Sequence, residues 1–106
     1  MKFTSVVLLA LGLLAAEVSF AKARPSVTVI KIESMQFEPK FVAIAKGDVV
    51  EWKNNDLVPH TATAPGSFDS KTILPGKSWR YTVRKKGRFD YKCNFHPTMS
   101  ASIEAK

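Results

Sequence analysis

The sequence predicts an all-β protein, a sandwich or barrel of short strands in a single domain. Within residues 24–106, short runs rich in Val, Ile, Thr and aromatic residues alternate with turns rich in Gly, Pro, Asn and Asp. This alternation is typical of β-sandwiches and β-barrels, and little of the region has the 3.6-residue periodicity of an amphipathic helix. The region also contains no internal repeat and no low-complexity linker, which favours one domain.

About seven strands can be predicted along the chain from these runs. They cover Val27–Ile32, Phe41–Ala45, Asp48–Lys53, His60–Ala64, Ser78–Arg84, Phe89–Cys93 and Ala101–Ala105. The first run is apolar on both faces, whereas the third places Val50 and Trp52 on one face and charged residues on the other. In the fourth run, His60, Ala62 and Ala64 share a face, because strand side chains alternate.

The strand that ends at Cys93 bears most directly on function. Because of the alternation, Cys93 lies on the same face as Phe89 and Tyr91, and we expect that face to form part of the core. The thiol should then point inward at the end of a strand, where the chain enters a tight loop. An enclosed metal site requires this kind of position.

The N-terminal segment has the features of a secretory signal peptide. Lys2 supplies a positive charge, Val6–Ala16 is an apolar run, and Ala21-Lys22-Ala23 offers small residues to a signal peptidase. We expect residues 1–23 to be the signal peptide and residues 24–106 the mature domain, with a cut after Ser19-x-Ala21 as the close alternative. An uncleaved membrane anchor is less expected, because the apolar run is shorter than the about 20 residues that span a bilayer.

The charge balance indicates the kind of partner. The chain has 16 Lys and Arg against 9 Asp and Glu, a net charge of +7 that becomes about +6 without residues 1–23. An exported domain is not expected to meet nucleic acid, so an acidic protein or an anionic membrane surface is the natural complement. Arg84, Lys85, Lys86 and Arg88 form a basic cluster. We interpret this cluster mainly as a solvated hairpin tip, with partner or membrane steering as the alternative.

Cys93 is the only cysteine, so the chain cannot form an internal disulfide. Small exported domains usually depend on disulfides for stability. An unpaired thiol in an oxidising compartment is a liability unless it is buried or bound to metal. The export signal and the single cysteine together favour Cys93 as a metal ligand, and a bound metal would stabilise the folded state.

One thiol, two imidazoles and one thioether form a candidate set of four metal ligands, and three of the four lie in one short loop. Cys93, His96 and Met99 follow one another at three-residue spacing, and His60 is the only other histidine of the chain. Taken singly, each residue could belong to the core or to a loop, but the conjunction favours a metal site. Thiolate, imidazole and thioether together favour copper over zinc, which prefers closed tetrahedra of thiolate, imidazole and carboxylate.

Five segments, spread over the whole predicted mature domain, match the pattern of one protein family. They are Met35-Gln36-Phe37-x-Pro39, Gly47-Asp48-x-Val50-x-Trp52-x-Asn54-x-Asp56, Val58-Pro59-His60, Pro75-Gly76 and Tyr91-x-Cys93-x2-His96-Pro97-x-Met99. In these segments the chain resembles the cupredoxins, the blue type 1 copper proteins, and most of all the amicyanin type, with plastocyanin and pseudoazurin nearby. The resemblance implies a Greek-key β-sandwich of about eight strands. It also implies one type 1 copper bound by His60, Cys93 and His96, with Met99 as the axial ligand.

Two features differ from the cupredoxin pattern. Many members have Asn after the first histidine, and its side chain joins the ligand loops; this chain has Thr61, whose backbone N–H can still donate to the Cys93 sulfur. The acidic docking patches of plant plastocyanins are not found in this basic chain, so the resemblance does not identify the partner. It does imply that His96 reaches the surface through an apolar patch, flanked by Pro97 and Pro65, and that electrons leave there.

The sequence therefore predicts a periplasmic, monomeric electron-transfer protein that cycles between Cu(I) and Cu(II). Its partner would be a redox protein such as a dehydrogenase, a cytochrome or an oxidase, and the charge suits an acidic one or contact with a membrane surface. A copper carrier or storage protein that delivers metal to an oxidase is the alternative, but the chain has no spare histidine for ligand exchange. An enzyme with Cys93 as nucleophile and His96 as base is not expected, because nothing points to an orienting group or an oxyanion hole.

Overall fold

The computed structural model describes residues 24–106, which fold into a sandwich of two β-sheets. The strands are β1 (Val27–Glu33), β2 (Gln36–Glu38), β3 (Phe41–Ile44), β4 (Val49–Asn54), β5 (Thr63–Ala64), β6 (Phe68–Asp69), β7 (Ser78–Thr82), β8 (Gly87–Lys92) and β9 (Ser100–Ala105). The predicted all-β sandwich is confirmed, with nine strands in this region instead of about eight. None of the described residues belongs to a helix that could cross a membrane. The predicted signal peptide, residues 1–23, lies outside the described residues.

Both sheets are mixed. One has four strands in the order β2-β1-β4-β7, and the other has five in the order β3-β9-β8-β5-β6. β1 runs parallel to β4 and β3 runs parallel to β9, while the remaining pairs are antiparallel. The loops that follow β4 and β8 come from different sheets and meet at one end of the sandwich, where His60 contacts Cys93. We call this end the metal-site end.

The core lies between the sheets and is formed by the faces that the alternation predicts. Val50 and Trp52 of β4 are fully buried, and Tyr91 and Cys93 are 2% and 0% exposed. The Trp52 ring is central, since its centroid lies 5.4 Å from that of Phe68 and 5.5 Å from that of Tyr91. Aromatic side chains bury the largest apolar areas and pack in defined geometries. This cluster therefore fixes β8 against β4 directly below the metal-binding loop.

The first predicted strand is apolar on both faces, but only one face is buried. Ile30 and Ile32 of β1 lie in the core, whereas Val27 and Val29 are exposed. β1 is extended by one residue, to Glu33, and pairs with β2, which is three residues long. Neither β2 nor the two-residue β6 is among the predicted strands.

The predicted strand at His60–Ala64 is wrong in extent. Only Thr63–Ala64 is a strand, and His60 instead forms an isolated bridge with Ile73. Every residue from 60 to 64 is buried, so no solvent-facing side alternates with a core-facing one. The segment runs inside the metal-site end, and tertiary packing overrides its strand pattern.

Candidate metal centre

The structure brings together the metal-binding atoms of the two histidines and the cysteine. Cys93 follows the last residue of β8, His60 lies in the connection from β4 to β5, and His96 lies in the loop from β8 to β9. The Cys93 Sγ atom is 3.6 Å from His60 Nδ1 and 3.7 Å from His96 Nδ1. The ligand atoms of these three residues all lie within 4.8 Å of one another.

These separations suit a single shared metal ion. Sulfur and nitrogen atoms bonded to one ion at about 2.3 Å and about 2.05 Å stand about 3.5 to 3.8 Å apart, for bond angles between tetrahedral and trigonal. The two Sγ to Nδ1 distances, 3.6 Å and 3.7 Å, fall in this range. Two imidazoles and one thiolate in a trigonal set are the equatorial ligands of a type 1 copper site, whose axial ligand is a weakly bound thioether.

Met99 is the fourth predicted ligand, and hydrogen bonds within the loop hold its backbone. The Cys93 N–H donates to the Met99 carbonyl oxygen at 3.1 Å, and the Met99 N–H donates to the His96 carbonyl oxygen at 2.8 Å. The Met99 side chain is buried with the other core residues. The loop is therefore a closed turn that starts and ends at predicted ligands.

Thr61 joins the two loops that carry the predicted ligands. Its backbone N–H donates to Cys93 Sγ at 3.4 Å, which confirms the contact expected from the sequence. Its side-chain Oγ1 atom accepts a hydrogen bond from the Asn94 N–H at 2.9 Å. The threonine thus makes with its hydroxyl the kind of link that an asparagine side chain makes in many cupredoxins. The N–H donated to sulfur is also the kind of contact that tunes a metal thiolate.

Asp56 orients the His60 ring, a role that the sequence did not reveal. Asp56 Oδ2 lies 2.7 Å from His60 Nε2, so with Nδ1 facing Cys93 the ring donates its Nε2 proton to the carboxylate. The same carboxylate accepts the backbone N–H groups of Ser34 and Met35 at 2.8 Å and 3.0 Å. Burial acts to raise the pKa of Asp56, but the hydrogen bonds it accepts, above all from the Met35 N–H, hold that pKa below its ordinary value. The side chain is therefore an anion that fixes the tautomer of a predicted ligand.

Asn54 is the second residue whose role the sequence analysis missed. It is the last residue of β4, and its side chain is fully buried. Its amide nitrogen donates to the carbonyl oxygens of Val58 and Ile73, both at 2.9 Å, and its amide oxygen accepts the Asp56 N–H at 2.9 Å. This one side chain connects the loop before His60 with the segment that pairs with His60. Its place in the matched segment that starts at Gly47, two residues before Asp56 and six before His60, is the signal that the sequence offers.

His96 is the one predicted ligand that is partly exposed. Its ring lines a shallow depression of about 320 Å³ together with Val58, Pro59 and Phe95. Pro65 does not flank it, which corrects the expectation from the sequence. Pro65 begins the turn between β5 and β6, and the next residues of that turn line a groove with Arg84 and Lys85 on another part of the surface. Pro59 stands beside His96 instead.

Replacing Asp56 with asparagine should weaken Cu(II) binding by about 10- to 100-fold, the usual effect of losing such a carboxylate partner of a ligating histidine. The amide can still accept the His60 proton, but it removes the negative charge that favours the doubly charged ion. Competition with a chelator of known affinity would measure the change. Asp90→Asn is the matched control, because Asp90 is an exposed partner of Arg88 and not of a predicted ligand. Equal affinities of the two variants would contradict this role of Asp56.

The fold and the cluster together define a class of protein, a small β-sandwich that holds a metal ion between the loops at one end. A family model described as a cupredoxin-like domain matches residues 5–103. The chain therefore belongs to the cupredoxin-like family.

The chain is similar to amicyanins in both sequence and fold. It is 25% identical over 92 residues to the amicyanin of Paracoccus versutus, over 81% of this chain and 70% of that protein. It is 26% identical over 89 residues to the amicyanin of Paracoccus denitrificans, over 78% of this chain and 68% of that protein. The crystal structure of Paracoccus versutus amicyanin superposes with a TM-score of 0.69 at 25% identity, covering 81% of this chain and 87% of that one. These findings confirm the resemblance drawn from the sequence.

The fold also occurs inside a larger protein. A copper-containing nitrite reductase from Thermus scotoductus SA-01 matches with a TM-score of 0.68 at 26% identity. The match covers 77% of this chain but 22% of that enzyme. The likeness therefore concerns one part of the reductase.

Proposed function

We propose that this protein is an electron carrier whose single type 1 copper ion cycles between Cu(I) and Cu(II), bound by His60, Cys93, His96 and Met99. The observation that carries the proposal is the cluster of two histidines and a thiol, with ligand atoms within 4.8 Å of one another. Copper bound there would supply one-electron redox chemistry. The family and the amicyanin relatives support the same function.

The surroundings of the site suit electron transfer, which is fast when the ligands move little between the two oxidation states. His60 is held by Asp56, and Cys93 is held by the Thr61 N–H. His60 and Cys93 are both fully buried at the end of the sandwich. Packed interiors resist displacement of their side chains, so the protein keeps the ligand positions fixed.

The route for electrons leads through His96. Exposed apolar side chains from three segments surround the metal-site end: Leu57 and Val58, Leu74, and Phe95. Leu57 is 95% exposed, which is unusual for a large aliphatic side chain. An apolar surface around a partly exposed ligand is suited to brief contact with a redox protein. We infer that a dehydrogenase, cytochrome or oxidase docks here and exchanges electrons with the copper through the His96 ring.

Copper delivery to another protein is less well supported. A protein that delivers its metal must expose its metal ligands to the ligands of the receiving protein. Only His96 among the predicted ligands is partly exposed. The partly buried carboxylate contact to His60 also opposes ligand exchange. The same arrangement gives no open position for a substrate, which supports a carrier and not an enzyme.

We further propose that the protein works in the periplasm. The predicted signal peptide, residues 1–23, supports export, and cleavage before Arg24 would release the domain that the structure describes. Mass spectrometry of the protein from a periplasmic extract would locate the cleavage site. Protein found only in the cytoplasm would contradict the proposal.

The optical and electron paramagnetic resonance spectra of the copper(II)-loaded protein test the function. We expect an intense blue absorption from the Cu(II)–thiolate bond and the spectrum of a type 1 centre. The colour should bleach on reduction and return on oxidation. Mixing the two oxidation states should then give rapid electron self-exchange by nuclear magnetic resonance. A colourless Cu(II) complex, or a blue one that hands copper to a chelator faster than it exchanges electrons, would contradict the proposal.

A further inference from the structure

The end of the sandwich opposite the metal site carries a concentrated positive charge. We define the basic pole as Arg24, Lys46, Arg84, Lys85 and Lys86, all of which are exposed. No carboxylate of residues 24–106 lies within 4.0 Å of any of these five cations, whereas Arg80 and Arg88 are paired with Glu51 and Asp90. The positive charge of these five side chains is therefore free to attract an anionic partner.

Backbone hydrogen bonds hold the three segments of the pole together. The turn that carries Lys46 is joined to the β7–β8 hairpin, since the Gly47 N–H donates to the Val83 carbonyl oxygen at 2.7 Å. The segment after Arg24 joins the same turn, because the Ser26 N–H donates to Asp48 Oδ1 at 3.1 Å. Asp48 also accepts the Ala45 N–H, so each oxygen of its carboxylate accepts a hydrogen bond from a backbone N–H. The fold thus fixes the relative positions of the three segments that carry the cations.

The pole is far from the site of electron exchange. β8 starts beside the pole at Gly87 and ends one residue before Cys93. Six residue steps along a strand cover about 20 Å. This is more than twice the Debye length of about 8 Å at physiological ionic strength, so the pole contributes little to the approach of a protein at His96. We therefore expect the positive charge of the pole to act on a partner other than the redox protein that docks at His96.

We propose that the basic pole binds the anionic headgroups of a membrane surface. Arg24 lies within the pole and is the residue that directly follows the predicted signal peptide with its apolar run Val6–Ala16. During export, and for as long as the segment stays attached, this end of the domain would therefore be the one closest to the lipid. Next to the cations, Tyr81 lines a groove of about 250 Å³ with Arg84 and Lys85, and tyrosine is enriched at the membrane–water interface.

Binding by the pole orients the protein. With the basic pole on the headgroups, the metal-site end and its apolar rim point away from the membrane into the aqueous compartment. His96 then remains accessible to a redox partner while the carrier stays at the surface where membrane-bound partners are found. This proposal is independent of the metal, since it rests on the charge of the opposite end.

Vesicle co-sedimentation of the protein, as purified from the cells that express it, tests the proposal. We expect binding to vesicles of phosphatidylcholine with roughly one-third phosphatidylglycerol, and much weaker binding to phosphatidylcholine alone. Each cation near an anionic surface contributes about fivefold, so Arg84→Gln with Lys85→Gln and Lys86→Gln should weaken binding on the order of 100-fold. Salt at 1 M should abolish it, because the Debye length falls to about 3 Å.

The matched control changes three exposed lysines at the metal-site end, with Lys53→Gln, Lys77→Gln and Lys92→Gln. Both triple variants lose the same net charge, and we expect the control to bind anionic vesicles within a few-fold of wild type. Equal losses in the two variants would overturn the proposal, because net charge alone would then explain binding. Wild-type protein that prefers immobilised polyglutamate to anionic vesicles, with loss only in the pole variant, would also overturn it in favour of an acidic protein partner.

Discussion

Replacing Cys93 with serine should abolish the intense blue absorption of the copper(II)-loaded protein, since that absorption arises from the Cu(II)–thiolate bond. The serine hydroxyl nearly preserves the volume of the side chain and can accept the Thr61 N–H that now points to sulfur. We therefore expect the copper-free variant to stay folded, with a loss of about 1 kcal/mol in the free energy of unfolding. Absorption spectra and urea unfolding would measure the two effects.

Met99→Leu is the companion variant for the same experiment, because it removes the thioether that we propose as the axial ligand and keeps the two histidines and the cysteine. The blue absorption should persist in this variant, and the reduction potential should rise, since Cu(II) loses a weak ligand. A blue Cys93→Ser protein, or a Met99→Leu protein without colour, would contradict the assignment of equatorial and axial ligands.

Replacing Asn54 with alanine should destabilise the protein more than any exposed substitution. The change leaves the Val58 carbonyl oxygen and the Asp56 N–H without their present partner, and leaves the Ile73 carbonyl oxygen with only the His60 N–H. Each unmade bond costs about 1 kcal/mol or more, so the free energy of unfolding should fall by about 3 kcal/mol. Urea unfolding of the copper-free protein would measure it.

Asn55→Ala provides the control for this change, since Asn55 is the exposed neighbour on the same loop. We expect its free energy of unfolding to stay within about 0.5 kcal/mol of wild type. Because Asn54 also supports Asp56, the Asn54 variant should bind Cu(II) more weakly, while the Asn55 variant should not. A loss below about 1 kcal/mol for Asn54→Ala would show that the loops do not depend on this side chain.

Local alternation of side chains allowed much of the fold to be predicted. The buried faces of Val50 with Trp52 and of Tyr91 with Cys93 follow directly from the two-residue period of a strand. Strand partners could not be predicted this way, because the period does not encode which strand lies alongside. The parallel pairing of β1 with β4 and the short β2 and β6 are therefore known only from the structure.

The ligand candidates could be predicted because the chain has only two histidines and one cysteine, and one histidine shares a short loop with the cysteine and Met99. The residues that hold these ligands in position could not be predicted. Asp56 and Asn54 act through backbone groups that are distant in sequence, such as the Ser34 N–H and the Ile73 carbonyl oxygen. Thr61 replaces an expected asparagine and makes the inter-loop bond with a hydroxyl. Polar networks closed by tertiary contact leave little trace in a sequence.

The burial of Cys93 has a consequence for the order in which the protein matures. A thiol with no exposed surface is protected from oxidants and from cross-linking to a second copy. We therefore expect the domain to be able to fold first and to take up its metal later without damage to the thiol. Since His96 is the one predicted ligand with exposed surface, we expect copper to enter past its ring. The same opening would then serve metal loading once in the life of the protein and electron exchange many times afterwards.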